Sequence, residues 1–229
     1  MTRALSQQFL NSTVRLLSAA IHDEVRAKPA PSWREFELRR ELISCILGSQ
    51  VRHEIAAGLA SQLELAGLLD DCWWGRTPFP EFGGHVLEVL SGRHWKAHRF
   101  PNNSAAHLVK VRDALSETPL LSRIFCGERA CVLREHLVET IAGVGPKQAS
   151  MFLRNIGYSY ELAVLDTHVL RFMLVQELLP ADDYRMVYAS DYERIESVLS
   201  EYAHGVGYPV GLVDLAIWST MQAAKDLGL

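Results

Sequence analysis

One lysine and one aspartate, each at the start of a predicted helix, are the residues of this sequence best placed to do chemistry. Lys147 ends the turn "GVGPK" at 143–147, and Asp166 opens the stretch "DTHVLRFM". At neutral pH only about one free lysine in a thousand is the neutral amine that acts as a nucleophile. The positive end of a helix disfavours the ammonium form, so this position favours an amine that can form a Schiff base. A solvated surface lysine is the alternative.

Asp166 has two compatible interpretations. An aspartate before a helix commonly accepts hydrogen bonds from the first backbone N–H groups as an N-cap. A carboxylate held in one pose by that capping is also suited to stabilise a developing positive charge or to assist a lysine. The sequence therefore predicts an N-cap and leaves a catalytic role open.

The lysine belongs to a predicted helical hairpin, "HLVETIAGVGPKQASMFLRNIG" at 136–157. Apolar residues recur at helical spacing on both sides of the turn. Gly143 and Gly145 are expected to allow positive φ and close backbone approach, and Pro146 suits the first helical position. The free N–H groups at the helix start predict an anion site that fits a DNA phosphate. A tight hairpin without a ligand explains the glycines equally well.

The remaining pattern predicts an all-α protein, because no segment sustains the alternation of a strand. Ser32 is expected to cap a helix, with Glu35 as its capping-box partner, and residues 70–83 are expected to form a loop. Helices are predicted at 6–27, after Ser32, and at 52–68, 84–91, 104–117, 128–141, 146–156, 167–179, 189–203 and 210–226.

Composition limits the class of protein. The 229 residues are 48% hydrophobic and 22% charged, which suffices for a sizeable core. No apolar run reaches the ~18 residues of a membrane span, and no signal peptide is recognisable, so a soluble intracellular protein is expected. The cysteines include no CxxC pair, so neither a zinc nor an iron–sulfur site is expected; they are Cys45, Cys72, Cys126 and Cys131.

The net charge of −4 argues mildly against a nucleic-acid partner. However, no acid lies between Glu88 and Asp113, and this segment contains basic residues interleaved with Trp95 and Phe100. Such a segment could hold phosphates, although a solvated basic loop is the alternative. Its cations are Arg93, Lys96, Arg99, Lys110 and Arg112.

The stretches "GVGPKQASMFLRNIGY" and "LAVLDTHVLRFM" resemble the helix-hairpin-helix superfamily of base-excision DNA glycosylases. The resemblance is closest to the short 8-oxoguanine DNA glycosylase/lyases of archaea and some bacteria. It implies a central bundle at about 42–158, with the motif at about 131–156, and a second lobe made of 1–41 and 159–229. A cleft between these lobes would hold Lys147 and Asp166.

The resemblance also implies a reaction on damaged double-stranded DNA. The target nucleotide is flipped out of the duplex, Lys147 attacks the sugar C1′ and expels the base, and the resulting Schiff base permits β-elimination. Asp166 assists the lysine and offsets the sugar's positive charge. The expected protein is a monomer without a membrane partner, a metal or a cofactor, although a monovalent cation at the hairpin fits the resemblance.

Further site residues are expected, the backbone contacts from the hairpin and the basic segment described above and the base pocket from the resemblance. The residues expected to contact the DNA backbone are Gly143, Gly145, Gln148, Arg93, Lys96 and Arg99. The residues expected in the base pocket are Phe100, Trp218, Gln50 and Asp214. Core packing is the alternative for the aromatic residues, and helix capping for Gln50. The chain departs from the family where Lys225 is followed by "DLGL", because in that family a terminal lysine carboxylate helps to read the base.

Two other functions remain open. One is the same chemistry on another oxidised base, such as a pyrimidine. An enzyme like endonuclease III is disfavoured, since its four-cysteine cluster is missing. The other is a non-catalytic helix-hairpin-helix DNA-binding module, which would need neither Lys147 nor Asp166 where they are.

Overall fold

A computed structural model describes residues 3–29, 32–75, 80–92, 95–124, 127–180 and 189–226, and within them every helix or strand assigned is an α-helix. The predicted all-α class is confirmed. The helices are α1 (Arg3–Ala27), α2 (Glu35–Leu47), α3 (His53–Leu65), α4 (Phe82–Leu90), α5 (Pro101–Glu117), α6 (Leu120–Ile124), α7 (Ala130–Thr140), α8 (Pro146–Asn155), α9 (Thr167–Val175), α10 (Ala189–Val206) and α11 (Val210–Asp226).

The chain divides into two compact units. The first, called here the hairpin unit, is Ser32–Ile156, and the second, the discontinuous unit, combines Met1–Pro31 with Gly157–Leu229. The hairpin unit therefore begins about ten residues before residue 42, where the central bundle was expected to begin. All of α2 belongs to the hairpin unit because it packs on α3 and α8. Just before α2, the indole N–H of Trp33 donates to the carbonyl of Ile156 at 2.7 Å, which joins the two ends of this unit.

The hairpin unit is built around α2, whose buried face includes Leu38, Leu42 and Leu47. The prediction that Ser32 caps this helix is wrong. Arg34 is the N-cap, and its backbone N–H donates to the Glu37 carboxylate at 2.9 Å.

Glu35 is not the capping-box partner of Ser32 and instead contacts the start of another helix. Its carboxylate accepts the backbone N–H groups of Leu120 and Leu121, at 2.8 and 2.9 Å. These open α6, a helix of five residues that is too short to show a helical period in the sequence.

The discontinuous unit packs α1 against α11 and α9 against α11. Its core includes Val14 from α1, Phe172 from α9, Leu199 from α10 and Val213 from α11, all fully buried. A helix from the chain's start thus shares one core with the helices from its end, since each alone exposes an apolar stripe. None of the helices in the described residues combines the length and the hydropathy needed to cross a membrane.

Helix α9 ends at Val175, four residues before the expected end at 179. Glu177 adopts a left-handed conformation with φ 59°, and the N–H of Leu178 returns to the carbonyl of Met173 at 2.8 Å. This return bond satisfies the last turn of the helix in the manner of a Schellman motif. Because the residue at the left-handed position is not a glycine, no stop signal is recognisable there in the sequence.

Candidate active site

The predicted hairpin joins α7 to α8, both in the hairpin unit. Gly143 has φ 81°, and a Cβ placed there would lie 2.9 Å from Nδ1 of His107 on α5. Glycine is therefore required at 143 both by the backbone conformation and by the neighbouring ring. Gly145 has φ −104° and ψ 179°, so it does not use the positive φ that glycine allows.

The start of α8 supplies unpaired donors. Pro146 occupies the first turn as expected, and the N–H groups of Lys147 and Gln148 have no acceptor within the helix. The N–H of Gly145 donates to the side-chain oxygen of Gln148 at 3.2 Å. Gln148 thus caps the helix in the free protein. A phosphate bound at Gly145 would have to replace this bond, and the predicted phosphate contacts of Gly143, Gly145 and Gln148 stay predictions.

Lys147 is the second residue of α8 and is partly buried. Among the described residues of the hairpin unit, no carboxylate lies within ion-pair distance of its ammonium. A paired carboxylate would stabilise the ammonium and oppose nucleophilic use of the amine. The position of Lys147 in its unit is therefore compatible with a Schiff-base nucleophile.

A cysteine in the same unit is a poor competitor for that role. Burial raises the pKa of the Cys45 thiol well above its usual value, and the nearby Glu41 carboxylate adds to the effect, while Arg154 and Lys147 oppose it. The thiolate is the nucleophilic form of cysteine. Cys45 is therefore an inert thiol at neutral pH and is not a candidate nucleophile.

Asp166 is the N-cap of α9, as predicted. Its Oδ1 accepts the backbone N–H groups of His168 and Val169, both at 2.9 Å. Both bonds end on Oδ1, so Oδ2 is not used in the capping. The cap fixes the carboxylate while one oxygen remains for chemistry, and the two interpretations of Asp166 are compatible in the structure.

Trp218, on α11, is partly buried, and its ring meets that of His168 edge to face with centroids 6.4 Å apart. His168 lies in the first turn of α9, directly after the Asp166 cap. The discontinuous unit therefore brings Trp218 to the end of α9 that carries Asp166. Its predicted role as a stacking partner for the base stays a prediction.

Phe100 is 39% exposed and is the N-cap residue of α5, with the Arg99 guanidinium carbon 5.0 Å from its ring centroid. An exposed ring with a cation over one face is suited to stack on a base.

His98 holds the loop that carries Phe100 in place, a role that was not expected from the sequence. His98 is buried, its Nδ1 accepts the N–H of Phe100 at 3.0 Å, and its Nε2 lies 3.0 Å from the carbonyl of Leu47. Since Nδ1 is the acceptor, we assign the proton to Nε2, which donates to Leu47. His98 thereby ties the loop before α5 to the end of α2. The spacing of His98 relative to its neighbours in the basic segment forms no pattern that could have revealed this bond.

Gln50 and Asp214 have contrasting environments. Gln50 follows α2, is exposed, and has φ 57°, an uncommon conformation outside glycine that often marks a functional turn. Asp214 is 1% exposed and accepts the N–H of Val164 at 2.5 Å. Direct contact with the base stays a prediction for both residues, but the burial of Asp214 favours a role in supporting the chain before Asp166.

The basic segment is only partly available to DNA. Lys96 and Arg99 are exposed, and the Lys96 ammonium lies 5.7 Å from the Trp95 ring centroid. Arg112 is buried instead, donating to the carbonyls of Trp73 at 2.8 Å and Gly75 at 3.1 Å. Arg93 lies outside the described residues. Lys110 is exposed as well, so Lys96, Arg99 and Lys110 remain the candidates for phosphate contacts.

Comparison with known proteins confirms the resemblance drawn from residues 136–173. The family model Ogg-HhH, described as 8-oxoguanine DNA glycosylase, matches residues 85–208. A protein of Sulfurisphaera tokodaii named 8-oxoguanine DNA glycosylase/AP lyase is 30% identical, and the match covers 85% of this chain and 91% of that protein. A Metallosphaera sedula protein of the same name is 33% identical over 59% of this chain and 64% of its own length.

Solved structures share the fold. The 8-oxoguanine DNA glycosylase of Methanocaldococcus jannaschii is 23% identical and superposes with a TM-score of 0.73, covering 100% of this chain and 99% of that one. The enzyme of Thermotoga maritima gives a TM-score of 0.72 at 24% identity, covering 95% and 96%. The Methanocaldococcus jannaschii glycosylase/lyase in complex with a 15mer DNA containing 8-oxoguanine gives 0.65 at 22%, covering 97% and 91%.

Proposed function

The chain belongs to the 8-oxoguanine DNA glycosylase family, and from this premise we propose that it excises 8-oxoguanine from duplex DNA and cleaves the strand at the resulting abasic site. One observation carries the assignment of the nucleophile. Lys147 lies in the first turn of α8, partly buried and without a carboxylate partner among the described residues of its unit. Phosphate binding by the hairpin needs no lysine there, whereas Schiff-base chemistry does.

In the proposed reaction, the neutral Nζ of Lys147 forms a bond to the sugar C1′ while the bond from C1′ to the base breaks. The base leaves with that electron pair and takes up a proton. Opening of the sugar ring converts the adduct into a protonated Schiff base. Loss of a C2′ proton then expels the 3′ phosphate, which is the β-elimination of the lyase step.

Asp166 supplies negative charge where positive charge develops on the sugar. Its Oδ1 is held by two backbone donors of α9, so the carboxylate does not have to reorganise during the reaction. Oδ2 is the oxygen that we assign to the charge stabilisation. A fixed carboxylate is more effective here than a mobile one, because its orientation is already set by folding.

The remaining predicted residues bind the substrate in this proposal. The donors at the start of α8, with Lys96 and Arg99, neutralise phosphates without reading sequence. Phe100 and Trp218 stack on the flipped base and replace the stacking that it loses on leaving the duplex. We also propose that the protein is a monomer and that the hairpin binds a monovalent cation.

A lesion panel tests the substrate assignment. Duplexes carrying one 8-oxoguanine, one oxidised pyrimidine or no lesion are incubated with the protein and borohydride, which reduces a Schiff base to a stable adduct. The proposal predicts a covalent adduct with the 8-oxoguanine duplex and little with the undamaged one. Preferential adduct formation with the oxidised pyrimidine would show that an oxidised pyrimidine, and not 8-oxoguanine, is the substrate. Binding to all three without any adduct would indicate the non-catalytic module.

A further inference from the structure

The backbone that leads into Asp166 is held by side chains. Residues 163–165, called here the anchored segment, belong to no helix or strand, and Ala163, Val164 and Leu165 are 0%, 5% and 5% exposed. Buried backbone N–H groups need acceptors, and outside regular structure these must come from elsewhere. This segment therefore depends on partners supplied by other parts of the discontinuous unit.

Three consecutive N–H groups of the anchored segment are accepted by three side chains from α10 and α11. Ala163 donates to Glu196 at 2.8 Å, Val164 to Asp214 at 2.5 Å, and Leu165 to the hydroxyl of Tyr192 at 3.2 Å. The Tyr192 hydroxyl also donates to the carbonyl of Ala163 at 2.8 Å. One hydroxyl thereby clamps both ends of the segment.

Two further backbone hydrogen bonds hold Asp166 itself. The N–H of Asp166 donates to the carbonyl of Val164 at 3.0 Å, and the carbonyl of Asp166 accepts the N–H of Leu170 at 2.9 Å. The backbone of Asp166 is thus fixed on one side by the anchored segment and on the other by α9. Any shift of the segment moves the carboxylate.

Capping alone does not explain this arrangement. An aspartate caps a surface helix without support from buried polar side chains. Here Tyr192 is 4% exposed and Asp214 is 1% exposed, and burying a hydroxyl or a carboxylate is costly unless it is hydrogen-bonded. Such a supporting shell is typical where a functional group must be held within a fraction of an ångström.

We propose that Tyr192 is a positioning residue for base release, acting through its two hydrogen bonds to the anchored segment on the carboxylate of Asp166. This inference rests on the proposed function, because it requires Asp166 to act on the sugar. Tyr192 touches no reacting atom in this account. Its effect is on the rate of base release and not on the affinity for DNA.

The chain offers a matched control. Tyr202 lies in the same unit, and its hydroxyl donates to the side-chain oxygen of Asn11 on α1, away from the anchored segment. Tyr192→Phe and Tyr202→Phe each remove one bonded hydroxyl and keep the ring. We expect Tyr192→Phe to slow single-turnover release of 8-oxoguanine about tenfold, a loss typical of slight misplacement. Duplex affinity should be unchanged, and Tyr202→Phe should match the wild-type rate.

A double-mutant cycle separates positioning from general destabilisation. If Tyr192 acts through Asp166, Tyr192→Phe should cause no further slowing in an Asp166→Asn background. Equal rates for the two Tyr→Phe variants, or an undiminished tenfold loss in the Asp166→Asn background, would overturn the inference. If Asp166→Asn alone keeps the wild-type rate, the proposed function of Asp166 fails instead.

A second pair covers the case in which Tyr192→Phe does not fold. Glu196 is partly exposed, so its replacement disturbs the core less. Glu196→Ala removes the acceptor of the Ala163 N–H, whereas Glu196→Gln keeps an acceptor oxygen. We expect slower base release from Glu196→Ala and near-complete recovery in Glu196→Gln. Equal rates for these two variants would also contradict the inference.

Discussion

The imidazole of His107 occupies the space that any side chain at position 143 would need. A Cβ on Gly143 would lie 2.9 Å from Nδ1 and 3.1 Å from Cγ of that ring. The turn that presents Lys147 is therefore fixed by a contact between α5 and the hairpin, in addition to its own backbone conformation.

Gly143→Ala is expected to destabilise the protein by about 1–3 kcal/mol, since alanine is strained at φ 81° and also meets His107. Gly145→Ala is the matched control. Its φ is −104° and its Cβ would meet only the mobile end of Gln148, so its loss should be no more than about 1 kcal/mol. Chemical denaturation measures both. Equal losses would show that the His107 contact and the positive φ are unimportant.

Asp166→Asn should keep α9 nearly intact, because asparagine caps helices about as well as aspartate. Base release should nevertheless fall by about a hundredfold or more, since the variant lacks the charge that stabilises the sugar. Single-turnover rates and unfolding free energies, measured on the same preparations, test this. A loss of rate no larger than the loss of folded protein would reduce Asp166 to a helix cap.

Phe100→Ala and Trp218→Ala should each slow release of 8-oxoguanine by about ten- to a hundredfold, which corresponds to the loss of one stacking partner. Cleavage of a preformed abasic site should suffer much less, because that substrate has no base to stack. Phe9→Ala, at a 59% exposed ring on α1, is the control and should affect neither reaction. Equal losses on the two substrates would remove Phe100 and Trp218 from the base pocket.

Tyr202 predicts a dependence of stability on alkaline pH. Burial raises the pKa of its hydroxyl to about 12, from 10.0, with a smaller opposing effect of Arg15. The folded state therefore holds this proton more tightly than the unfolded state, and the stabilisation is complete below pH 10 and lost as pH rises towards 12. Comparing denaturation of the wild type and Tyr202→Phe across this range should show a smaller decline for the variant. Equal declines in the free energy of unfolding of the two proteins would contradict a raised pKa for Tyr202.

The parts of the fold that depend on local pattern could be predicted from the sequence. Amphipathic spacing predicted the longer helices, and the residue types at helix starts predicted Pro146 at the first turn of α8 and Asp166 as the cap of α9. Both candidate catalytic residues emerged from such starts, because a helix end creates a specific electrostatic environment that the sequence reveals.

The contacts between distant residues could not be predicted. Nothing in the sequence shows that Gly143 lies against His107. Nor does it show that His98 bonds both Phe100 and Leu47, since these contacts depend on tertiary packing. The sequence also could not show which of the two glycines adopts positive φ, because glycine permits that conformation without requiring it; Gly143 adopts it and Gly145 does not. Likewise, the acceptors of the anchored segment come from α10 and α11, and their spacing has no pattern that points to residues 163–165.

Borohydride trapping with Lys147→Gln is the most direct test of whether Lys147 is the Schiff-base nucleophile. Glutamine keeps most of the side-chain volume but cannot form a Schiff base, and Lys28→Gln, at an exposed lysine just after α1, controls for the loss of one positive charge. We predict that Lys147→Gln binds the 8-oxoguanine duplex but forms no covalent adduct, while Lys28→Gln forms it at the wild-type level. An adduct of wild-type yield with Lys147→Gln would show that Lys147 is not the nucleophile.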